Sequence, residues 1–115
     1  MQPTGIHHVS INVSDLDRSV RFYTETLGLT VHPDRPELDV DGAWLDLPSG
    51  QVHLIVGMVP PANGQHFAVG VRDLDDAVAV LRDVGVAVRG PFPVGGARQA
   101  FVADPDGNAI ELQGK

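Results

Sequence analysis

The chain contains no cysteine, which removes disulfides, thiolate nucleophiles and cysteine-type zinc sites together. No apolar run approaches the roughly 20 residues needed to cross a bilayer, and the N-terminus carries no signal-peptide pattern. A cytoplasmic protein with no membrane partner is expected. Basic residues are few: 8 Lys and Arg stand against 15 Asp and Glu, for a net charge of -7. With no basic run, this argues against nucleic acid or an anionic membrane as partner. No HExxH-like local metal motif is present either, so any metal ligands must be assembled from distant positions.

What the chain does have is a stretch that occurs twice. His8-Val-Ser-Ile-Asn-Val-Ser-Asp-Leu-Asp17 returns as His66-Phe-Ala-Val-Gly-Val-Arg-Asp-Leu-Asp75, an offset of 58 residues. Val52-His53-Leu54 falls on Ile110-Glu111-Leu112 with the same offset. One supersecondary unit is therefore used twice. At 115 residues the chain fits a single domain spanning 1–115, with one module over about 5–57 and a second over about 65–114. Half of this length makes a marginal folder, so a shared core is expected.

Alternation over residues 6–13 predicts a half-buried strand with His8, Ser10 and Asn12 on one face. Ser14 and Asp17 form a capping box that starts a helix near Asp15. Leu16, Val20, Tyr23 and Leu27 make its apolar stripe, and Gly28 stops it. Residues 29–40 predict a short strand and an excursion. Strands follow at 43–47 and 51–56, and the Pro-rich stretch 57–65 links the modules. The second module repeats the plan. Its strand is 66–71, and its helix carries Leu74, Ala77, Val78, Leu81 and Val84. A strand near 86–89 and a loop over 90–96 precede a hairpin of 99–103 and 109–113. The fold class is α+β, two βαβββ modules in tandem. Asp104-Pro-Asp-Gly-Asn108 lacks the Gly and Glu positions of a calcium loop and reads as the hairpin turn.

The apolar face of each strand suits its module's helix. The other face collects His8, Ser10, Asn12, Trp44, Asp46, Gln51, His53, His66, Phe101 and Glu111. Polar groups sharing a sheet face with two aromatics describe a wet pocket better than a core. Ser10, Asn12, Trp44, Gln51 and Phe101 are expected to line it, with Trp44 and Phe101 at equivalent repeat positions. His8 and His53 in one module match His66 and Glu111 in the other. If a pseudo-twofold axis relates the modules, these four converge as metal ligands. Three imidazoles and a carboxylate suit Zn, Ni, Fe, Co or Mn and suit Ca or Mg poorly. Glu111 and Asp46 are the candidates to move a proton, Asp46 alternatively supporting a histidine. His7 is expected to point to the helix side, and His32 to be a surface residue.

Ile-His-His8-Val, Asp-Leu-Asp-Arg-Ser-Val-Arg-Phe-Tyr-Thr-Glu-Thr-Leu-Gly-Leu, the second opening from Gln65, and the closing Asp-Pro-Asp-Gly-Asn-Ala-Ile-Glu111-Leu together resemble the vicinal oxygen chelate superfamily. This is the glyoxalase, bleomycin-resistance and ring-cleavage dioxygenase group. The resemblance covers essentially the whole chain. It implies a cupped mixed sheet around one divalent metal, ligands at His8, His53, His66 and Glu111, and a homodimer, in some members with sites completed by both subunits. It also implies a small-molecule substrate or drug as partner. Glyoxalase-like lyases typically carry His, Glu, His and Glu at these positions, from which His53 departs. Ring-cleaving dioxygenases use two His and one Glu, matching His8, His66 and Glu111. Bleomycin-resistance relatives sequester a drug and generally lack the ligand set. The favoured expectation is a metal-dependent lyase or isomerase acting on a substrate chelated through vicinal oxygens. A drug- or metabolite-binding protein is the alternative, and a ring-cleavage-type dioxygenase the third reading.

Overall fold

The computed structural model describes all residues from Met1 to Lys115. The chain divides into two compact units, Met1–Pro60 and Pro61–Lys115. The first contains β1 (His8–Val13), α1 (Leu16–Arg21) continuing into a π-helical turn (Phe22–Thr26), β2 (Thr30–Val31), β3 (Gly42–Leu47) and β4 (Gly50–Val56). The second contains β5 (His66–Gly70), α2 (Leu74–Asp83), β6 (Arg89–Val94), β7 (Ala97–Ala103) and β8 (Ala109–Gly114). Each is a βαβββ module with its own four-stranded mixed sheet, ordered β1-β4-β3-β2 and β5-β8-β7-β6. The first strand pairs in parallel with the last, and the remaining pairings are antiparallel. A parallel pair cannot be closed by a tight turn, so the helix serves as the crossover.

The two-residue period of the strands sorts apolar from polar side chains. Val13, Leu45, Val52 and Leu54 are buried with Tyr23 of the π-helical turn, and α1 packs against β3 and β4. In the second unit Leu74, Val78 and Leu81 of α2 are buried with Ala100, Val102, Ile110 and Leu112. Full burial of each large side chain contributes about 1.5–3 kcal/mol. Tyr23 and Leu81 obey the repeat offset, so each module closes its core with a bulky residue at the same helical place. No helix is long and apolar enough to cross a membrane.

Four local expectations need correction. The first helix is capped by Asp15, whose side chain accepts from Arg18 N at 3.0 Å. Ser14 Oγ instead receives the Arg18 guanidinium at 3.2 Å. Asp73 caps α2 in the same way, accepting from Asp76 N. The Asp-Leu-Asp of the repeat is thus a capping device, its first Asp satisfying an amide of the opening turn. The helix also widens after Arg21: Leu27 N bonds to Phe22 O, while Thr24 Oγ1 donates to Val20 O at 2.7 Å. A hydroxyl bonding back to that carbonyl competes with the ordinary ladder. In the second unit Val84 lies at the C-cap and is exposed. Finally, residues 86–88 are not in a strand, and β6 runs over Arg89–Val94, where a loop was expected. Pro91 and Pro93 are tolerated because β6 is the sheet edge and its register shifts between Arg89 and Phe92.

Candidate functional site

The strand registers define an equivalent face in each unit. In the first, His53 on β4 lies opposite Trp44 on β3 and Ser10 on β1. In the second, Glu111 on β8 lies opposite Phe101 on β7 and Ala68 on β5. His8 and His66 open the first strand of each unit. Trp44 and Phe101 are therefore equivalent, as the repeat indicated. The chemistry built around these positions differs between the units.

In the second unit, His66 Nε2 lies 3.1 Å from Glu111 Oε1, and His66 Nδ1 lies 2.9 Å from the Gly64 carbonyl. Both ring nitrogens face acceptors, an arrangement that satisfies both protons of an imidazolium. These two hydrogen bonds raise the His66 pKa above its ordinary value of 6.5, the Gly64 carbonyl contributing most. Glu111 is 8% exposed. Its burial follows from a central place in the sheet, between β5 and β7. Phe101 meets His66 edge-on with ring centroids 5.5 Å apart, and the Arg89 guanidinium lies over the Phe101 ring at 4.7 Å.

This pair fits a divalent metal. The Gly64 carbonyl fixes the Nδ1–H of His66 and leaves Nε2 aimed at a carboxylate oxygen, so a cation can take the place of the Nε2 proton. No group of three or more His, Asp or Glu residues that could hold a metal forms within this unit.

The first unit is arranged differently. His53 stacks on Trp44, with centroids 4.7 Å apart and planes inclined by 11°. His8 stacks on His53 at 3.8 Å and 12°. β4 lies between β1 and β3, so His53 is sandwiched between the two. An ion equidistant from His8 and His53 would sit well out of each ring plane, where neither lone pair points. In this arrangement the two imidazoles do not act jointly on one ion. His53 Nε2 is also engaged, 2.8 Å from Gln51 Oε1, while Gln51 Nε2 donates to Asp46 Oδ1 at 3.0 Å. Desolvation between its neighbours is the largest cause of a lowered His53 pKa, followed by the nearby His8.

Asp46 holds its second oxygen 2.9 Å from His32 Nδ1. That hydrogen bond is the main reason its carboxyl stays below its usual range. His32 is thus a half-buried partner of Asp46 and not a surface residue. Its backbone amide also bonds to Trp44 O at 2.8 Å, which extends the pairing of β2 with β3 by one residue. Periodicity could not reveal this in so short and Pro-rich a segment; the sole available signal was a histidine placed just after a two-residue strand. His7 is exposed and touches His8 through their Nδ1 atoms at 2.9 Å, so it belongs beside His8 rather than on the helix side. Asn12 donates to Met58 O at 2.8 Å and helps secure the chain beyond β4. Ser10 is exposed on the His53 side of β1. An open hollow of about 540 Å³ lies beside Asp46 and Gln51, lined also by Thr4, Ile6, His7 and Ser49.

The turn at Asp104 is structural. Its carboxylate accepts from Asp106 N, Asn108 N and Asn108 Nδ2 at 2.9 Å each, closing the β7–β8 hairpin.

Comparison with known proteins agrees with this architecture. The chain is 32% identical over 121 residues to the lactoylglutathione lyase of Haemophilus influenzae, covering 93% of this chain and 90% of that protein. It spans only 34–42% of the longer plant lactoylglutathione lyases that it also matches. A glyoxalase family protein from Bacillus anthracis superposes with a TM-score of 0.91 at 27% identity, over 100% of this chain and 98% of that one. An antibiotic binding protein from a Streptomyces species superposes at 0.81 with 29% identity, over 99% and 98%. The sequence model of the Glyoxalase/Bleomycin resistance protein/Dioxygenase superfamily matches residues 5–112, and the chain belongs to that superfamily.

Proposed function

We propose that the protein is a divalent-metal-dependent lyase or isomerase of the glyoxalase kind, acting on a small oxygenated substrate that binds through two vicinal oxygens. The observation that carries this reading is the His66–Glu111 pair with the Gly64 carbonyl behind it. His66 Nε2 and Glu111 would hold the metal, with Zn, Ni, Fe, Co and Mn as the ions that suit the donors. When bound, the ion supplies Lewis acidity that polarises a substrate oxygen.

The chain's own residues do the remainder. The Gly64 carbonyl orients His66. Phe101, with Arg89 over its ring, walls the face beside Glu111. Of the two carboxylates able to move a proton, Glu111 is favoured. Both Asp46 oxygens already accept hydrogen bonds, which suits an orienting role. The sequence expectation also names His8 and His53 as ligands, and their stacked rings leave room for at most one of them in the set. Homodimerisation belongs to the same proposal, and sedimentation at several concentrations tests it.

Metal analysis of untagged protein tests the central claim, comparing the wild type with a His8→Ala/Glu111→Ala double variant and with each of the four single alanine variants. Near-stoichiometric Zn, Ni, Mn or Fe, lost in the double variant, is expected. No metal in the wild type, even after reconstitution, would remove the enzyme reading.

A second reading is a binding protein that sequesters a drug or metabolite. The stacked Trp44, His53 and His8 favour it, since aromatic and imidazole faces suit flat ligands, and a Streptomyces structural relative is described as antibiotic binding. Metal-independent ligand binding that disappears in Trp44→Ala would favour this reading.

A further inference from the structure

The two units place equivalent residues at equivalent registers, which makes a difference between them informative. Asp46 pairs with Gln51 across β3 and β4, and the corresponding pair across β7 and β8 is Ala103 with Ala109. One unit therefore has a polar pair where the other has two methyl groups. In the first unit that pair extends at both ends, to His32 through Asp46 and to His53 through Gln51.

The donor directions along this chain are fixed by chemistry. An ionised carboxylate can only accept, so His32 Nδ1 donates to Asp46 Oδ2 and the Gln51 amide group donates to Asp46 Oδ1. Gln51 must then turn its carbonyl toward His53. A carbonyl only accepts, so His53 Nε2 must carry the proton. In neutral imidazole one nitrogen donates and the other accepts, which leaves Nδ1 of His53 with the lone pair. Trp44 and His8 cover the two faces of the ring and restrict its rotation.

We propose that His32, Asp46 and Gln51 act as one positioning chain that holds His53 as the Nε2–H tautomer and leaves Nδ1 as its sole lone pair. His53 then meets a ligand, whether a metal ion or a hydroxyl donor, through Nδ1 and never through Nε2. Gln51 touches His53 directly. Asp46 acts on it by preventing the Gln51 amide from flipping, and His32 acts by holding Asp46. The assignment deepens the proposed function by defining what the first unit's face presents, but its test needs neither metal nor substrate.

The test is histidine nitrogen–proton correlation by NMR on the full, metal-free, isotope-labelled chain, at a pH where His53 is neutral. In the wild type, the His53 proton is expected on Nε2, with slowed exchange with water. Gln51→Leu removes the acceptor and should speed that exchange about tenfold, the change associated with losing one such hydrogen bond. Asp46→Asn retains shape and does not touch His53, yet it should speed the same exchange by a similar factor, while the His66 signals stay in place. A proton on Nδ1 of His53 in the wild type would overturn the proposal. So would an Asp46→Asn protein in which His53 is unchanged. If Gln51→Leu does not fold, the wild-type tautomer and Asp46→Asn still decide. Failure here leaves the metal measurement standing, and failure of metal binding leaves this tautomer assignment standing.

Discussion

The two units share strand order, helix capping and core positions, yet their equivalent faces hold opposite chemistries. The second unit sets an imidazole against a carboxylate, with a backbone carbonyl behind the imidazole. The first sets an imidazole between two rings and ties its edge to an amide. One favours a protonated imidazole. The other disfavours it. The two modules thus keep apolar side chains toward the helix, as at Tyr23/Leu81 and Val52/Ile110, and differ on the opposite face.

The largest break in the comparison comes from removing a central-strand donor. Glu111→Ala is expected to lower metal affinity by more than about a hundredfold, exceeding the 10–100-fold typical of outer partners. His53→Ala should lower it less, by no more than the roughly 10–100-fold typical of outer partners. Metal titration followed by calorimetry measures both, and equal losses would erase the distinction between the units.

Core truncation should show the opposite, a likeness. Leu54 and Leu112 are repeat equivalents, 1% and 3% exposed. Each Leu→Ala change is expected to cost about 2–5 kcal/mol through lost burial and a residual cavity. Urea unfolding of the two variants checks this, and a negligible loss in one alone would show that its module core repacks.

A third prediction contrasts the pH responses of the metal-free protein. His53 is expected to titrate below 6.5 and His66 above it. For His53, whose folded pKa is lowered, the contribution to stability is present above 6.5 and lost as pH falls through the folded midpoint. For His66, whose folded pKa is raised, the contribution is full below 6.5 and lost as pH rises through its folded midpoint. NMR titration of the two imidazoles gives the midpoints; finding both on one side of 6.5 would contradict the contrast.

The smallest effect belongs to the bidentate Arg98–Asp75 pair, with contacts at 3.0 and 2.9 Å. It is exposed, so Asp75→Asn should barely move the urea unfolding midpoint, and less still in high salt.

The positions that carry this contrast could be read before any geometry was known, because the repeat selected His8, His53, His66 and Glu111 by position and not by residue type. The equivalence of Trp44 and Phe101 followed the same logic, and the registers agree with it. The hydrogen bond between Asp46 and His32 could not be found that way. Residues 29–40 have too little periodicity to say where His32 falls, and hydrogen bonding by a side chain after a two-residue strand leaves no pattern. The stacking of His8 on His53 was equally invisible. Alternation assigns a residue to a face, but ring planes are set by packing among neighbours on adjacent strands. The Pro-containing edge strand misled for a related reason: proline excludes a strand only where its missing N–H is needed.

The stacking of Trp44 on His53 gives the molecule a built-in optical gauge. Trp44 is the chain's single tryptophan, so its emission comes from one place, an indole lying flat against an imidazole. A cation over an indole face interacts with its π-electrons, and protonation of His53 or arrival of a ligand against it should therefore alter the emission intensity. No dye or label is required, and occupancy of the first unit's face can be followed in real time.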